Sequence, residues 1–268
     1  MPRWKRFVLR HAGRALAAVA VVWLLVALIA VFGSWRIRTS GIAAFVACSF
    51  VALLVAVWAR WQRELAVREA ALPQFLKRKL REVYPQLSGK DCDLVERGLR
   101  QFFLACLRSN KKFVAMPSRA VDAMWHEFIL HTRAYRDWCE LTLGWFLHHT
   151  PAEALGAQAK GNDGLRRAWY WACRDEAINP RAPTRLPLLF ALDGKLKIAN
   201  GFTYLPDCAD LLRKNEQGGD GSGGVYCGTS FSDGSFSGDA DGMGGADASG
   251  DGGGDGGGDG GGCGGGGD

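Results

Sequence analysis

Two stretches near the N-terminus are apolar without interruption, and the apolar positions that follow recur with the period of a helix. Ala15 to Phe32 reads ALAAVAVVWLLVALIAVF and Gly41 to Ala59 reads GIAAFVACSFVALLVAVWA, with no charge in either. Each approaches the ~20 residues that a helix needs to cross a hydrocarbon core about 30 Å thick. Backbone groups in lipid must be paired within their own segment, so both stretches are expected to be helices, over about 15–33 and 41–59. Together they predict a transmembrane hairpin over residues 1–61. A cleaved signal peptide has a shorter apolar run and a small-residue cleavage site, and this pattern has neither.

From about residue 62 to residue 215 the pattern predicts an all-α domain. The second membrane helix continues into water until Pro73 interrupts it. Phe75, Leu76, Leu80 and Val83 make a short helix with a basic outer face, and Ser88 or Asp91 caps the next. That helix carries Val95, Leu99, Phe102, Phe103 and Cys106 on one stripe. Ser118 opens Val121–Leu147, where Val121, Met124, Phe128, His131, Tyr135 and Trp138 share a face. Thr150-Pro151-Ala152-Glu153 reads as a capping box that starts a further helix, with another from Asp163.

Charge divides the chain in three. Residues 1–60 carry eight Lys/Arg and no acid, and residues 216–268 carry ten acids and no base, around a formal net charge of +6. Five basic residues precede the first apolar run, whereas the link Ser34–Ser40 holds only Arg36 and Arg38. Basic flanks are retained inside, which predicts a multi-pass protein of the inner (plasma) membrane with both termini cytoplasmic. Trp35, Trp58 and Trp61 fall where the helix ends meet the interfaces. Lys77, Arg78, Lys79 and Arg81 form a membrane-proximal basic segment. Lipid headgroups are the partner this placement implies, together with an unidentified protein; no base-reading motif points to nucleic acid. The C-terminal segment holds 25 of the 36 glycines and is expected to be a disordered Gly/Asp-rich tail over 216–268, with its charge drawn to Lys77–Arg81.

Candidate chemistry is confined to histidines and a few neighbours. His126 and His131 stand five apart, about 140° round a helix, whereas the zinc-protease motif HExxH sets its histidines four apart. One straight helix therefore cannot aim both at one ion. His126 or His131 could instead meet His148, His149, Glu127 or Cys139 from another element. No cofactor is predicted and no metal site assigned, with His126 as the one candidate ligand. The eight cysteines show no CxxC spacing, and are read as mostly small buried apolar residues, with Cys263 an exposed thiol in the tail.

The segment MPSRAVDAMWHEFILHTRAYRDWCELTLGWFLHHTP, residues 116–151, resembles the glycine-rich domain-containing protein-like family. That family shares a core V-D-x-x-W-H-x-x-x-L-x-T-x-x-Y, then a Cys, G-x-F and H-H-x-P. Here the matching positions are Val121, Asp122, Trp125, His126, Leu130, Thr132, Tyr135, Cys139, Gly144, Phe146, His148, His149 and Pro151. The resemblance spans roughly residues 75–205 plus the style of the tail. Many members carry a second histidine two after the first, where this chain has Phe128. The resemblance implies a helical module, membrane association for bacterial members, and no settled activity. The candidate functional cluster is therefore Trp125, His126, Tyr135, Cys139, His148 and His149. The expected function is a membrane-anchored, non-catalytic interaction or scaffold module, the alternative being a metal-dependent or histidine-using enzyme centred on His126.

Overall fold

The computed structural model describes residues 3–32, 39–150, 163–207, 225–233 and 245–247, and these are mostly helical. Helix α1 (Arg3–Phe32) packs on α2 (Thr39–Glu69). Trp23 Nε1 donates to Ser49 Oγ at 2.8 Å, while Leu9 clusters with Ala59 further towards the other end, so the two run antiparallel. Among the described residues one helix is long and apolar enough to cross a membrane, Phe45–Glu69, with a mean hydropathy of 1.6. Within α1 a shorter apolar stretch, Ala17–Leu28, is found among the described residues. The sequence expectation of two spans is thus matched by one; the 33–38 link, with Trp35, lies outside the described residues.

α2 changes role along its length. Its first half exposes Phe50, Val51, Leu53, Leu54 and Val57, and its last turns bury Val67 completely in the domain core. Helices α3 (Phe75–Val83), α4 (Gly89–Arg108), α5 (Arg119–Leu130) and α6 (Thr132–Thr142) follow. Ser88 settles the choice of cap for α4: its Oγ accepts from Asp91 N at 3.2 Å while the Asp91 carboxylate accepts from Ser88 N at 2.9 Å. Val95, Leu99, Phe102 and Phe103 then form one fully buried stripe at the centre of the core.

Val121–Leu147 is two helices rather than one continuous face. His131, with φ −89° and ψ 61°, leaves the helical region and separates α5 from α6. Tyr135 and Trp138 are still buried, but they pack from a second direction.

Short strands complete the domain: β1 (Val114–Ala115), β2 (His148–Thr150), β3 (Thr203–Leu205), β4 (Val225–Cys227) and β5 (Gly245–Asp247). β1, β5 and β2 form an antiparallel sheet in that order, and β3 pairs with β4 in parallel. Two or three residues are too few to show an alternating pattern, which is why the sequence shows only helices. Thr150 ends β2, so His148 and His149 lie on a strand and not at a helix C-terminus; residues 151–162, where a capped helix was expected, lie outside the described residues.

Helices α7 (Asp163–Asp175), α8 (Leu188–Lys195) and α9 (Ser230–Asp233) close the core. Phe231 is 3% exposed and lies 5.7 Å from the ring of Trp169. The packed unit therefore runs past residue 215, and the segment 216–268 is not uniformly without structure: 225–233 and 245–247 are folded. Averaged over that segment, glycine and aspartate conceal the apolar bulk of Tyr226 and Phe231. Cys227 is disulfide-bonded, while Cys92, Cys106, Cys139 and Cys173 are free and buried as expected.

Candidate metal centre

α5 begins under unusually firm control. Ser118 Oγ accepts from Val121 N at 3.3 Å and donates to the Asp193 carboxylate at 2.6 Å. The same carboxylate accepts from the backbone N–H of Arg119 (2.8 Å), Ala120 (3.2 Å) and Phe202 (3.0 Å). Asp193, on α8 and only 2% exposed, thus satisfies two of the helix's unpaired donors and places a negative charge at its positive end. This fixes both the axis and the rotation of α5.

Asp122 and His126 stand one turn apart on α5, a separation of about 40° in rotation and 6 Å in height that puts them on one face. β2 brings His149 to that face. His126 Nε2 and His149 Nε2 lie 2.9 Å apart, and Asp122 places Oδ1 3.5 Å from His149 Nε2 and Oδ2 3.6 Å from His126 Nδ1. One donor atom from each of the three residues falls within 4.8 Å of the others. Two imidazole nitrogens bound to one ion at about 2.1 Å would stand about 3.4 Å apart at the tetrahedral angle and about 3.0 Å apart at a right angle, so the pair needs only a small outward shift to act as adjacent ligands. Asp122 Oδ1 is buried and has no hydrogen-bond partner among the described residues. A buried carboxylate oxygen that accepts no hydrogen bond is costly unless a nearby positive charge compensates it.

The electrostatics point the same way. Without an ion, the contact between the two Nε2 atoms requires one ring to present N–H and the other a bare nitrogen; protonating both would set two N–H groups against each other. His126, His149 and Asp122 would together hold a cation, which would relieve that constraint. His126 is 49% exposed and His149 15%, so the site is walled on one side and open on the other. Three protein ligands would leave coordination positions facing that opening, the arrangement in which a bound ion can activate water or polarise a carbonyl.

Below the cluster lies an aromatic floor. Trp125 is fully buried, 4.8 Å from the His149 ring and 5.1 Å from Phe102. Its Nε1 donates to Tyr135 Oη at 3.2 Å, and Tyr135 Oη donates to the Leu147 carbonyl at 2.6 Å. The chain entering β2 is therefore tied, through Tyr135, to the same indole that supports His149. Burial pushes the Cys139 thiol up to about 11, opposed by hydrogen bonding with Leu147 and Tyr135, so the thiol stays neutral and acts as packing. Burial raises the Tyr135 phenol further still, leaving it a fixed hydrogen-bonding group.

Of the six candidate residues, the structure brings His126 and His149 together over Trp125, with Tyr135 and Cys139 beneath. His148 turns to the Phe146 ring at 4.8 Å, as alternation along a strand dictates. His131 bonds the Glu127 carbonyl at 2.9 Å and lies 3.8 Å from the Phe75 ring, rather than between Phe128 and Tyr135. The candidate ligand that sequence reasoning missed is Asp122. Its spacing of four from His126 was visible, but carboxylates on helix faces are too common for that spacing to single it out. The basic segment is partly neutralised: Lys77 pairs with Asp93 and Glu96, and Lys79 with Glu82, while Arg78 and Arg81 are exposed.

Residues 62–231 match the UCP032817-like family, a stretch that contains every residue of the cluster. No curated protein and no solved structure matches the chain.

Proposed function

We propose that this chain, which belongs to the UCP032817-like family, is a membrane-anchored helical module that holds a divalent first-row transition metal at Asp122, His126 and His149. The observation that carries the reading is the meeting of two Nε2 atoms at 2.9 Å beside a buried Asp122 Oδ1 that accepts no hydrogen bond among the described residues. Two imidazoles and one carboxylate suit zinc, iron or cobalt better than calcium or magnesium, which prefer oxygen ligands. The resemblance to glycine-rich domain-containing proteins supports the helical module and its membrane association without adding a reaction.

The anchor is a two-helix hairpin in the inner membrane. Its support is the antiparallel packing of α1 on α2, the charge-free run Ala15–Phe32, and the outward-facing Val21, Leu24, Phe50 and Val57, each more than half exposed. The basic flanks favour both termini inside. The disulfide at Cys227 stands against that side, because cytosolic thiols are kept reduced. C-terminal reporter fusions decide the orientation.

Metal analysis of the full-length chain purified in detergent tests the central claim. About one ion per chain is expected, lost in His126→Ala and kept in His131→Ala. Absence of stoichiometric metal in the parent protein, after purification and after equilibration with zinc or cobalt, would reject the site. A non-catalytic interaction module on the same anchor would then be what remains.

A further inference from the structure

We infer that the C-terminal Gly/Asp-rich segment completes the metal site, with β5 as the positioning element that holds His149 against α5; this rests on the metal reading above. In the sheet order β1-β5-β2, β1 and β2 do not pair with each other. Everything that β2 gains from the sheet it gains through β5: His149 is opposite Ala246, and Ala246 is opposite Val114 on the far side. β1 is the fixed end of that row, since Val114 and Ala115 are buried and the backbone N of Ala115 lies under Gly164 of α7.

β2 cannot hold this position by itself. It is three residues long and half-buried throughout, and its other ties to the core described above are the Tyr135 bond to the Leu147 carbonyl, the hydrogen bond between Leu147 and Cys139, and the contact of the His149 ring with Trp125. Strands so short do not persist without neighbours on which to bond. A ligand has to be held within about 0.5 Å of its binding position. Groups that orient a ligand without touching the ion typically change metal affinity by about tenfold to a hundredfold. β5 is suited to this role because it acts through backbone pairing on both sides. A segment of the glycine-rich tail, residues 245–247, thereby becomes part of the site.

Full-length protein in detergent, titrated with Co2+ as a visible probe and competed with Zn2+, tests this. Ala246→Pro removes the N–H from the central strand and breaks the ladder. It is expected to weaken Co2+ affinity by about tenfold to a hundredfold and to change the visible absorption of bound Co2+, with the thermal midpoint of the metal-free protein unmoved. A chain ending at Asp247, which keeps β5 whole, is expected to bind like the parent. Parental affinity and spectrum in Ala246→Pro would overturn the inference. So would loss of the cooperative metal-free melt in that variant, which would make β5 part of the general fold. If the parent takes up no Co2+ at all, the metal reading fails and this inference falls with it; if the parent binds and Ala246→Pro binds equally, only this inference fails.

Discussion

Trp23 and Trp125 are the same residue facing two different surroundings. Trp23, on α1, is 40% exposed and ties its indole N–H to Ser49 on α2. Trp125, on α5, is wholly buried among Phe102, Phe103 and the His149 ring, with its N–H on Tyr135. Both satisfy the polar handle, as an indole must when water is scarce. They differ in where the apolar body goes: outward along the hairpin, inward in the domain. In one region apolar bulk is left on the surface, and in the other it is the floor beneath the His126–His149 pair.

Trp125→Ala breaks that contrast most severely. Removing a fully buried indole costs about 3 to 5 kcal/mol. It also leaves His149 without its ring contact and Tyr135 without its donor. The variant should melt far below the parent and lose metal; a melt within a degree or two of the parent would show that the core closes round the gap. Trp23→Ala, measured in the same detergent, should cost much less.

Asp193→Ala comes next, at about 2 to 4 kcal/mol, because the loss leaves Ser118 Oγ and three backbone N–H groups without their acceptor. Asp193→Asn keeps one acceptor oxygen and should cost roughly half as much. Chemical denaturation in detergent reads both. Since Asp193 orients α5, metal affinity should fall with the same ranking, although Asp193 is not itself one of the three ligands. Equal stability of the Ala and Asn variants would mean that the charge, and not the pattern of bonds, holds the helix.

The two regions were not equally legible from sequence. The apolar character of Gly41–Ala59 is written locally, residue by residue, and so is the Val95–Leu99–Phe102–Phe103 stripe with its Ser88 cap. The proposed metal face is written non-locally. His126 and His149 could each be suspected alone, but their meeting depends on β2 turning back and on an acceptor 71 residues beyond Asp122 capping α5. Asp193 sits in the apolar run LPLLFALDGK, where nothing announces that its carboxylate is buried and bonded to another helix. The break at His131 was hidden because α6 resumes the same apolar spacing after one non-helical residue. Local pattern reports which face is apolar; it does not report which distant element completes a cap or a ligand set.

The smallest expected effect gives the most discriminating pair. Leu99 and Leu53 have identical side chains, on α4 and α2, with relative exposures of 0% and 52%. Leu99→Ala removes three heavy atoms from a close-packed interior that relaxes only in part, and costs about 2 to 5 kcal/mol. Leu53→Ala removes the same atoms from a surface where detergent or lipid tails fill the space immediately, so the loss should stay within about 0.5 kcal/mol. Its effect should appear elsewhere: a narrower apolar band weakens partition of α2 into the bilayer without loosening the domain, since Val67 and the turns that enter the core are untouched. If Leu53→Ala instead destabilises the detergent-solubilised protein by more than about 1 kcal/mol, Leu53 is covered by protein, and the exposed face of the hairpin is an interface between chains as well as a surface for lipid.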